Sequence, residues 1–258
     1  MDNTKKPLVS IITPSYNTAP FIGETIESVL AQTFPEWEMI IVDDASTDNS
    51  PQIIRQYAEK DPRIKPVFLK ENKGQGPARN IATDLAQGKY LAFLDSDDIW
   101  HPEKLEKHLT FMQQTGAVFS HTSYGFIDEQ GNKIFKDFHV SRKPVTYKDL
   151  LKRNIIGCLT VIYDSSKLGK LYMPDIRRKQ DYKLWLTILK KGYLSQPLNE
   201  VLSFYRIRKN SITSNKRNLF MEHYLFLRNH ENLSIFKSIY YTLYWGVLSI
   251  KKYYFSKI

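Results

Sequence analysis

Short apolar runs alternate with amphipathic segments through the first hundred residues of the 258-residue chain. LVSIIT (8–13) reads as a strand, 21–32 as a helix, WEMIIVD (37–43) as a strand, and 50–60 as a helix with Pro51 in its first turn. IKPVFL (64–69), a helix over 76–87 and YLAFLD (90–95) continue the rhythm. Strand and helix alternating at this spacing predict an α/β fold whose parallel sheet is covered on both faces. Such sheets bind ligands at the carboxyl ends of their strands. Polar clusters stand where the strands stop: TPSYN after the first, DDASTD after the second and DSDD after the fourth. Three separated segments are therefore expected to meet at one edge.

After residue 115 the strands become less regular, with a hairpin expected around DEQGN (128–132). A further helix is predicted in QDYKLWLTILKKG, from near Asp181 to Gly192. From 216 onward KRNLFMEHYLFLRNHEN has the pattern of an exposed amphipathic helix. The last segment holds thirteen uncharged residues between Lys237 and Lys251, among them several Tyr and one Trp. A spanning helix needs about twenty apolar residues, so this one is too short to cross a bilayer. Aromatic rings bounded by lysines suit a helix lying in the headgroup region of an anionic bilayer; packing on the core or on a second subunit is the alternative.

The charge is unevenly spread. Residues 1–100 hold 10 basic against 15 acidic side chains, a net of −5, which leaves +15 for the remainder of a chain whose net charge is +10. The stretch 141–180 has 10 basic and 3 acidic residues. An acidic first part joined to a basic remainder fits a metal-binding half beside a half that meets phosphates or an anionic surface. No nucleic-acid-binding motif is visible, so nucleic acid ranks below these partners. The single Cys158 cannot form an internal disulfide, and no Cys/His cluster has zinc spacing, which points to a reducing compartment and an inert buried thiol. The N-terminal apolar run is too short for a signal peptide, so a cytoplasmic location is expected.

Asp95, Asp97 and Asp98 crowd the end of the fourth strand. Carboxylates at i and i+2 on a strand end can share Mg²⁺ or Mn²⁺, and a cation bridging two phosphates neutralises a diphosphate leaving group. An Asp-rich turn capping the helix that begins in HPEKLEKHL is the plain alternative. An apolar strand followed by D-x-D also opens the haloacid-dehalogenase phosphatases, although there it stands near the N-terminus and a Thr or Val follows where this chain has Ile99.

SIITPSYN (10–17), IVDDASTDNS (41–50), GPARNIATDLAQGKYLAFLDSDDIW (76–100) and QDYKLWL (180–186), in this order, resemble the family 2 inverting glycosyltransferases of the GT-A fold. The likeness runs over about residues 8 to 210 and is greatest to bacterial members that build capsular, teichuronic or exopolysaccharide chains. It implies a Rossmann-like, mostly parallel central sheet flanked by helices, with a C-terminal helical extension. The implied division is a glycosyltransferase domain over 7–215, with a nucleotide-sugar half at 7–115 and an acceptor half at 116–215, followed by amphipathic helices over 216–258.

The same resemblance implies the site. Pro14 and Tyr16 fall where the nucleotide base is held, Asp44 where a carboxylate accepts the uracil N–H, and Arg79 near the donor phosphates. Read alone, Asp44 is equally an Asx-type turn residue and Arg79 a solvated helix arginine. Asp95 and Asp97 match the D-x-D pair, Asp97 on the metal and Asp95 on ribose or metal, with Mn²⁺ or Mg²⁺ as cofactor. Asp181 falls where the general base stands, and the Glu that usually precedes it is Gln180 here. Read alone, Asp181 is an ordinary carboxylate of a helix first turn. Arg177, Arg178 and Lys179 either lower its pKa or bind a phosphorylated acceptor.

SFYRIRKNSIT (203–213) resembles the following Tyr-Arg loop, in which a metal-binding His is replaced by Arg208. Arg206 or Arg208 is expected to close over the diphosphate. The implied partners are a nucleotide sugar, most simply a uridine diphosphate sugar, a saccharide or polyprenyl-pyrophosphate-linked acceptor, and the cytoplasmic face of the cell membrane. A non-catalytic sugar-binding module on the same fold is the competing function.

Overall fold

The structure, a computed structural model, describes residues 6–208 and 219–255. Strands β1 (Val9–Ser15), β2 (Trp37–Asp43), β3 (Ile64–Phe68) and β4 (Tyr90–Phe93) alternate with helices α1 (Ile22–Leu30), α2 (Ser50–Lys60) and α3 (Gln75–Leu85). All residues of β1, β2 and β4 are buried, as expected of strands covered on both faces. The second half contributes β5 (Ile99–Trp100), α4 (Lys104–Thr115), β6 (Phe119–Ile127), α5 (Tyr147–Lys152), β7 (Ile162–Asp164), α6 (Ser165–Leu168), α7 (Gln180–Lys190), β8 (Ser195–Arg206), α8 (Leu219–Asn229) and α9 (Ile235–Phe255).

The strands join one eight-stranded sheet in the order β3-β2-β1-β4-β7-β6-β8-β5. β3, β2, β1 and β4 pair in parallel; β7 then runs antiparallel to both β4 and β6, β8 is parallel to β6, and β5 is antiparallel to β8. The period-2 alternation of the first strands splits the core into two layers. Val9, Ile11, Met39 and Ile41 face α1 and α4, where Ile22, Ile26, Leu105 and Leu109 meet them. Ile12, Ile40, Val42 and Phe93 face the other way, toward Ala78 and Ala82 of α3 and Trp185 of α7.

This second layer positions the chemistry. The Trp185 ring meets Phe93 edge-on at 5.4 Å and Phe119 at 5.5 Å. Asp181 lies four residues before Trp185 and therefore on the same helix face. Asp95 lies two residues beyond Phe93. One buried aromatic contact thus sets the first turn of α7 against the open end of β4.

The first hundred residues match the expected elements to within a few positions, and the turn at 128–132 forms, with the Asp128 carboxylate accepting the N–H groups of Gln130 and Asn132. The Asp-rich turn does not cap a helix: β5 intervenes, and α4 starts only at Lys104 with Glu103 as its cap residue. Helix α8 is less exposed than its pattern suggested, since His223, Phe226 and Leu227 are buried. The expected boundary at 215/216 lies outside the described residues.

α8 and α9 are fastened to the body through buried polar groups. The buried Glu231 accepts hydrogen bonds from Lys183 (2.6 Å), Lys190 (3.1 Å) and the Tyr147 hydroxyl. The Lys179 ammonium donates to Nδ1 of His223 at 3.0 Å, and His223 is stacked between the rings of Tyr182 and Trp245. Burial pushes the His223 imidazole down to about 3, the Lys179 charge adding to the effect. A base with a depressed folded pKa binds fewer protons folded than unfolded, so its contribution is intact above about pH 6.5 and is lost as pH falls toward 3. Between neutral pH and about pH 4.5 this single group should remove about 2–3 kcal/mol. Thermal melts of the wild type and His223→Gln at both pH values should show a Tm loss that is several degrees smaller in the variant; equal losses would contradict the linkage.

Candidate active site

The carboxyl ends of β1, β2 and β4 open side by side, as the strand order requires. Polar side chains staple the first two loops together. Ser46 and Ser50 hydroxyls accept the N–H groups of Asn17 and Thr18, the Asp48 carboxylate accepts that of Ala19, and Asn17 Oδ1 accepts that of Thr47. Ala45 holds a left-handed φ of +58° at the apex of the second loop, a conformation uncommon for a residue with a side chain. Pro14 is buried at the end of β1 and Tyr16 projects beside it, half exposed.

Asp44 is only 2 % exposed. Its two carboxylate oxygens accept the backbone N–H groups of Lys73 and Gly74, each at 2.7 Å. These bonds shape the loop before α3, where Gly74 takes a φ of +93°. The carboxylate retains free lone pairs, but its observed work is to hold that loop. Behind it α3 and α7 meet at their first turns: a Cβ on Gly76 would stand 2.5 Å from the Gln180 amide. Gln180 itself donates to the Ile176 carbonyl. Two helix N-termini, each carrying unsatisfied N–H groups and a partial positive charge, therefore converge at the same edge.

Arg79, on the first turns of α3, is buried, and its Nη2 donates to Asp95 at 2.6 Å. Burial works against its charge, yet Asp95, and more weakly Cys158 and Asp181, hold its pKa above the ordinary value. Its Nε is buried without a partner. Asp181 lies within the field of the same pair. Burial raises its pKa; Arg79 and the backbone N–H of Tyr182 oppose the rise, and Asp95 adds to it. Cys158, in the short 3-10 turn Cys158–Thr160, is buried beneath this group, and burial pushes its thiol pKa well up.

Asp95 and Asp97 are both partly exposed, whereas Asp98 turns inward and is buried. Asp98 accepts the backbone N–H of Arg206 at 2.8 Å. Burial raises its pKa, with Asp97 and Asp95 reinforcing the effect. Burial likewise raises that of Asp97, opposed by Arg208 and reinforced by Asp95. The Nε of Arg208 pairs with Asp97 at 2.7 Å.

Arg206, expected among the donor-binding groups, has another place. It is 1 % exposed, and its guanidinium donates to the carbonyls of Asp97, Asp128 and Glu129 and to the Glu24 carboxylate. It ties three segments together beneath the Asp-rich turn and is not free to close over a ligand. Arg208, two residues on and partly exposed, is the arginine that reaches the acidic pair.

Asp95, Asp97, Arg79 and Asp181 are thus gathered at one edge, with Pro14, Tyr16 and Asp44 along its β1–β2 side. The sequence reading missed the Glu24–Arg206 brace, which no local pattern marks. It also missed the loop KGQG that Asp44 holds before α3, where the glycines were the available signal. Among the described residues no three His, Cys, Asp or Glu side chains form a complete metal cage. Asp95 and Asp97, two positions apart beyond one strand end, nevertheless suit a hard divalent cation whose remaining ligands are phosphate and water.

Arg208 is the cationic side chain that would compete with such a metal. Arg208→Gln should strengthen binding of Mn²⁺ alone several-fold in calorimetry, and Asp97→Asn should weaken it. Unchanged affinity in both variants would contradict a metal at this pair.

Residues 10–169 match the family described as Glycosyl transferase family 2. The chain is 46% identical over 247 residues to a Bacillus subtilis protein provisionally assigned as the teichuronic acid biosynthesis glycosyltransferase TuaG, covering 96% of this chain and 98% of the relative. It is 39% identical over 249 residues to WfgD of Escherichia coli, a UDP-Glc:alpha-D-GlcNAc-diphosphoundecaprenol beta-1,3-glucosyltransferase, covering 96% of both chains. Its fold is similar to that of S. aureus TarS 1-349 in complex with UDP-GlcNAc, with a TM-score of 0.71 at 23% identity over 93% of this chain and 71% of that one.

Proposed function

The chain belongs to glycosyl transferase family 2, and on that premise we propose that it is a metal-dependent inverting glycosyltransferase acting in bacterial surface polysaccharide synthesis. Its donor is a uridine diphosphate sugar, and its acceptor is a saccharide carried on a polyprenyl diphosphate at the cytoplasmic face of the membrane. The relatives support this choice, since the printed name of WfgD states both a UDP-sugar donor and a lipid-diphosphate acceptor. Membership of an enzyme family sets aside the phosphatase and the non-catalytic module.

The observation that carries the reading is the electrostatic grouping of Asp181 with Arg79 and Asp95 at the carboxyl edge of the sheet. Pro14 and Tyr16 flank the base, the β1–β2 loops the ribose, and the N-terminus of α3 with Arg79 the phosphates. The unpartnered Nε of Arg79 is a buried donor that a phosphate oxygen would satisfy. Asp95 and Asp97 would hold Mn²⁺ or Mg²⁺, which neutralises charge on the departing diphosphate. Asp181 accepts the proton of the acceptor hydroxyl as that oxygen attacks the anomeric carbon opposite the leaving group. A carboxylate partly withdrawn from water is a stronger base than an exposed one, and the Arg79 charge opposes that rise in its pKa.

Asp181→Asn should lower transfer about 10²–10⁴-fold while leaving UDP affinity in Mn²⁺ within about twofold. The wild-type rate should fall with acid through a pKa above the ordinary carboxylate value of about 4. Turnover in the variant within about tenfold of wild type would remove Asp181 from the mechanism.

A further inference from the structure

Helix α9 is built inside out. The side it turns to the protein carries Ser238, Thr242 and Gly246, all buried, at four-residue spacing. The Phe220 ring of α8 fills the space that a Cβ on Gly246 would occupy. Thr242 Oγ1 is buried without a hydrogen-bond partner. Tyr241 and Trp245 pack inward beside them, but most of the large apolar residues point the other way: Phe236 is 85 % exposed, Leu243 60 % and Val247 54 %, with Ile239 and Tyr240 exposed between them. Phe220 and Met221 of α8 extend the patch and line a shallow groove with Ile239 and Leu243. Surface helices of water-soluble domains have the reverse pattern, and contiguous apolar patches of this kind mark interaction sites.

The charges around the patch narrow the partner. A second groove, between α5 and α9, combines Phe236, Tyr240 and Leu151 with Lys148 and Lys237. Residues 216–258 carry seven basic and two acidic side chains. Both acidic groups are engaged: Glu231 is buried between two lysines, and Glu222 pairs with Arg178. Among the described residues the face therefore offers apolar side chains and ammonium groups with no unpaired carboxylate from α8 or α9. A second copy laid against it would bring lysine to lysine, whereas an anionic lipid surface complements both features.

We propose that α8 and α9 dock this face on an anionic bilayer, with Phe236, Leu243 and Val247 entering the acyl boundary and Lys148 and Lys237 meeting lipid phosphates. The inference rests on the lipid-linked acceptor of the proposed function and names the surface that meets it. The fold gives the docking a purpose. The same helices grip the chain just before the base: Lys179, at a left-handed φ of +61°, reaches His223 and lies over the rings of Phe226 and Trp245. Asp181 follows two residues later. A bilayer under α8 and α9 would thus lie beside the end of α7 at which a membrane-held diphosphate acceptor must arrive.

The test is co-sedimentation of the full chain with vesicles of phosphatidylcholine containing about a quarter phosphatidylglycerol, compared with phosphatidylcholine alone. Binding should be at least about tenfold stronger to the anionic vesicles and should weaken as NaCl rises from about 0.1 to about 0.5 M. A Phe236→Ser, Leu243→Ser double variant should lose binding about tenfold or more while its circular dichroism, Tm and Mn²⁺-dependent hydrolysis of UDP-sugar stay as in the wild type. Absence of wild-type binding, or equal binding by the folded variant, would overturn the docking. So would a wild-type dimer that the double variant converts to monomer in light scattering. Loss of donor hydrolysis in a wild type that still sediments would instead count against the glycosyl-transfer reading and leave the docking intact.

Discussion

The ion pair between the buried Arg79 and the partly exposed Asp95 organises the site. It joins the first turns of α3 to the turn leaving β4, and Asp181 stands within its field. A guanidinium so enclosed is tolerable only with an opposite charge in contact. With Asp181 and the acidic turn both near, its charge is shared among more carboxylates than one pair requires. Burial makes Asp97 and Asp98 hold protons more tightly than ordinary carboxylates, and the excess of negative charge around one cation adds to the effect. It also makes the edge receptive to further positive charge.

Arginine supplies part of that charge from within the chain. Arg206 is spent on structure, bonded to backbone carbonyls and Glu24 from beneath, and its own N–H is held by Asp98. Arg208 meets Asp97 from above. Strand alternation would put positions two apart on one side, but β8 ends at Arg206, and past that end one arginine braces the turn while the other covers it. An identical residue type carries both roles.

Much of the fold was legible because its first half obeys local rules. β1, β2, α2 and β4 begin and end near where apolar periodicity changes and where Pro51 permits a helix start. The carboxyl-edge rule then brought TPSYN, DDASTD and DSDD together from topology alone. Asp181 and Arg79 became candidates only through resemblance to a family, since each fits an ordinary helix equally well by pattern. The sequence could not disclose that Asp44 also holds the backbone of residues 73 and 74, or that Arg206 is buried, because both depend on contacts between distant segments. The orientation of α9 was hidden for a different reason. Its composition announces an amphipathic helix, but which side packs is decided by the small residues Ser238, Thr242 and Gly246 against Phe220.

The role proposed for Asp181, as the one carboxylate facing the diphosphate across the sugar, has one stereochemical consequence: the acceptor oxygen enters opposite the leaving group. Nuclear magnetic resonance of the first product formed from an α-linked uridine diphosphate sugar reads this directly through its anomeric proton coupling. A β-linked product agrees with one displacement assisted by Asp181. An α-linked product formed as the initial species would contradict it.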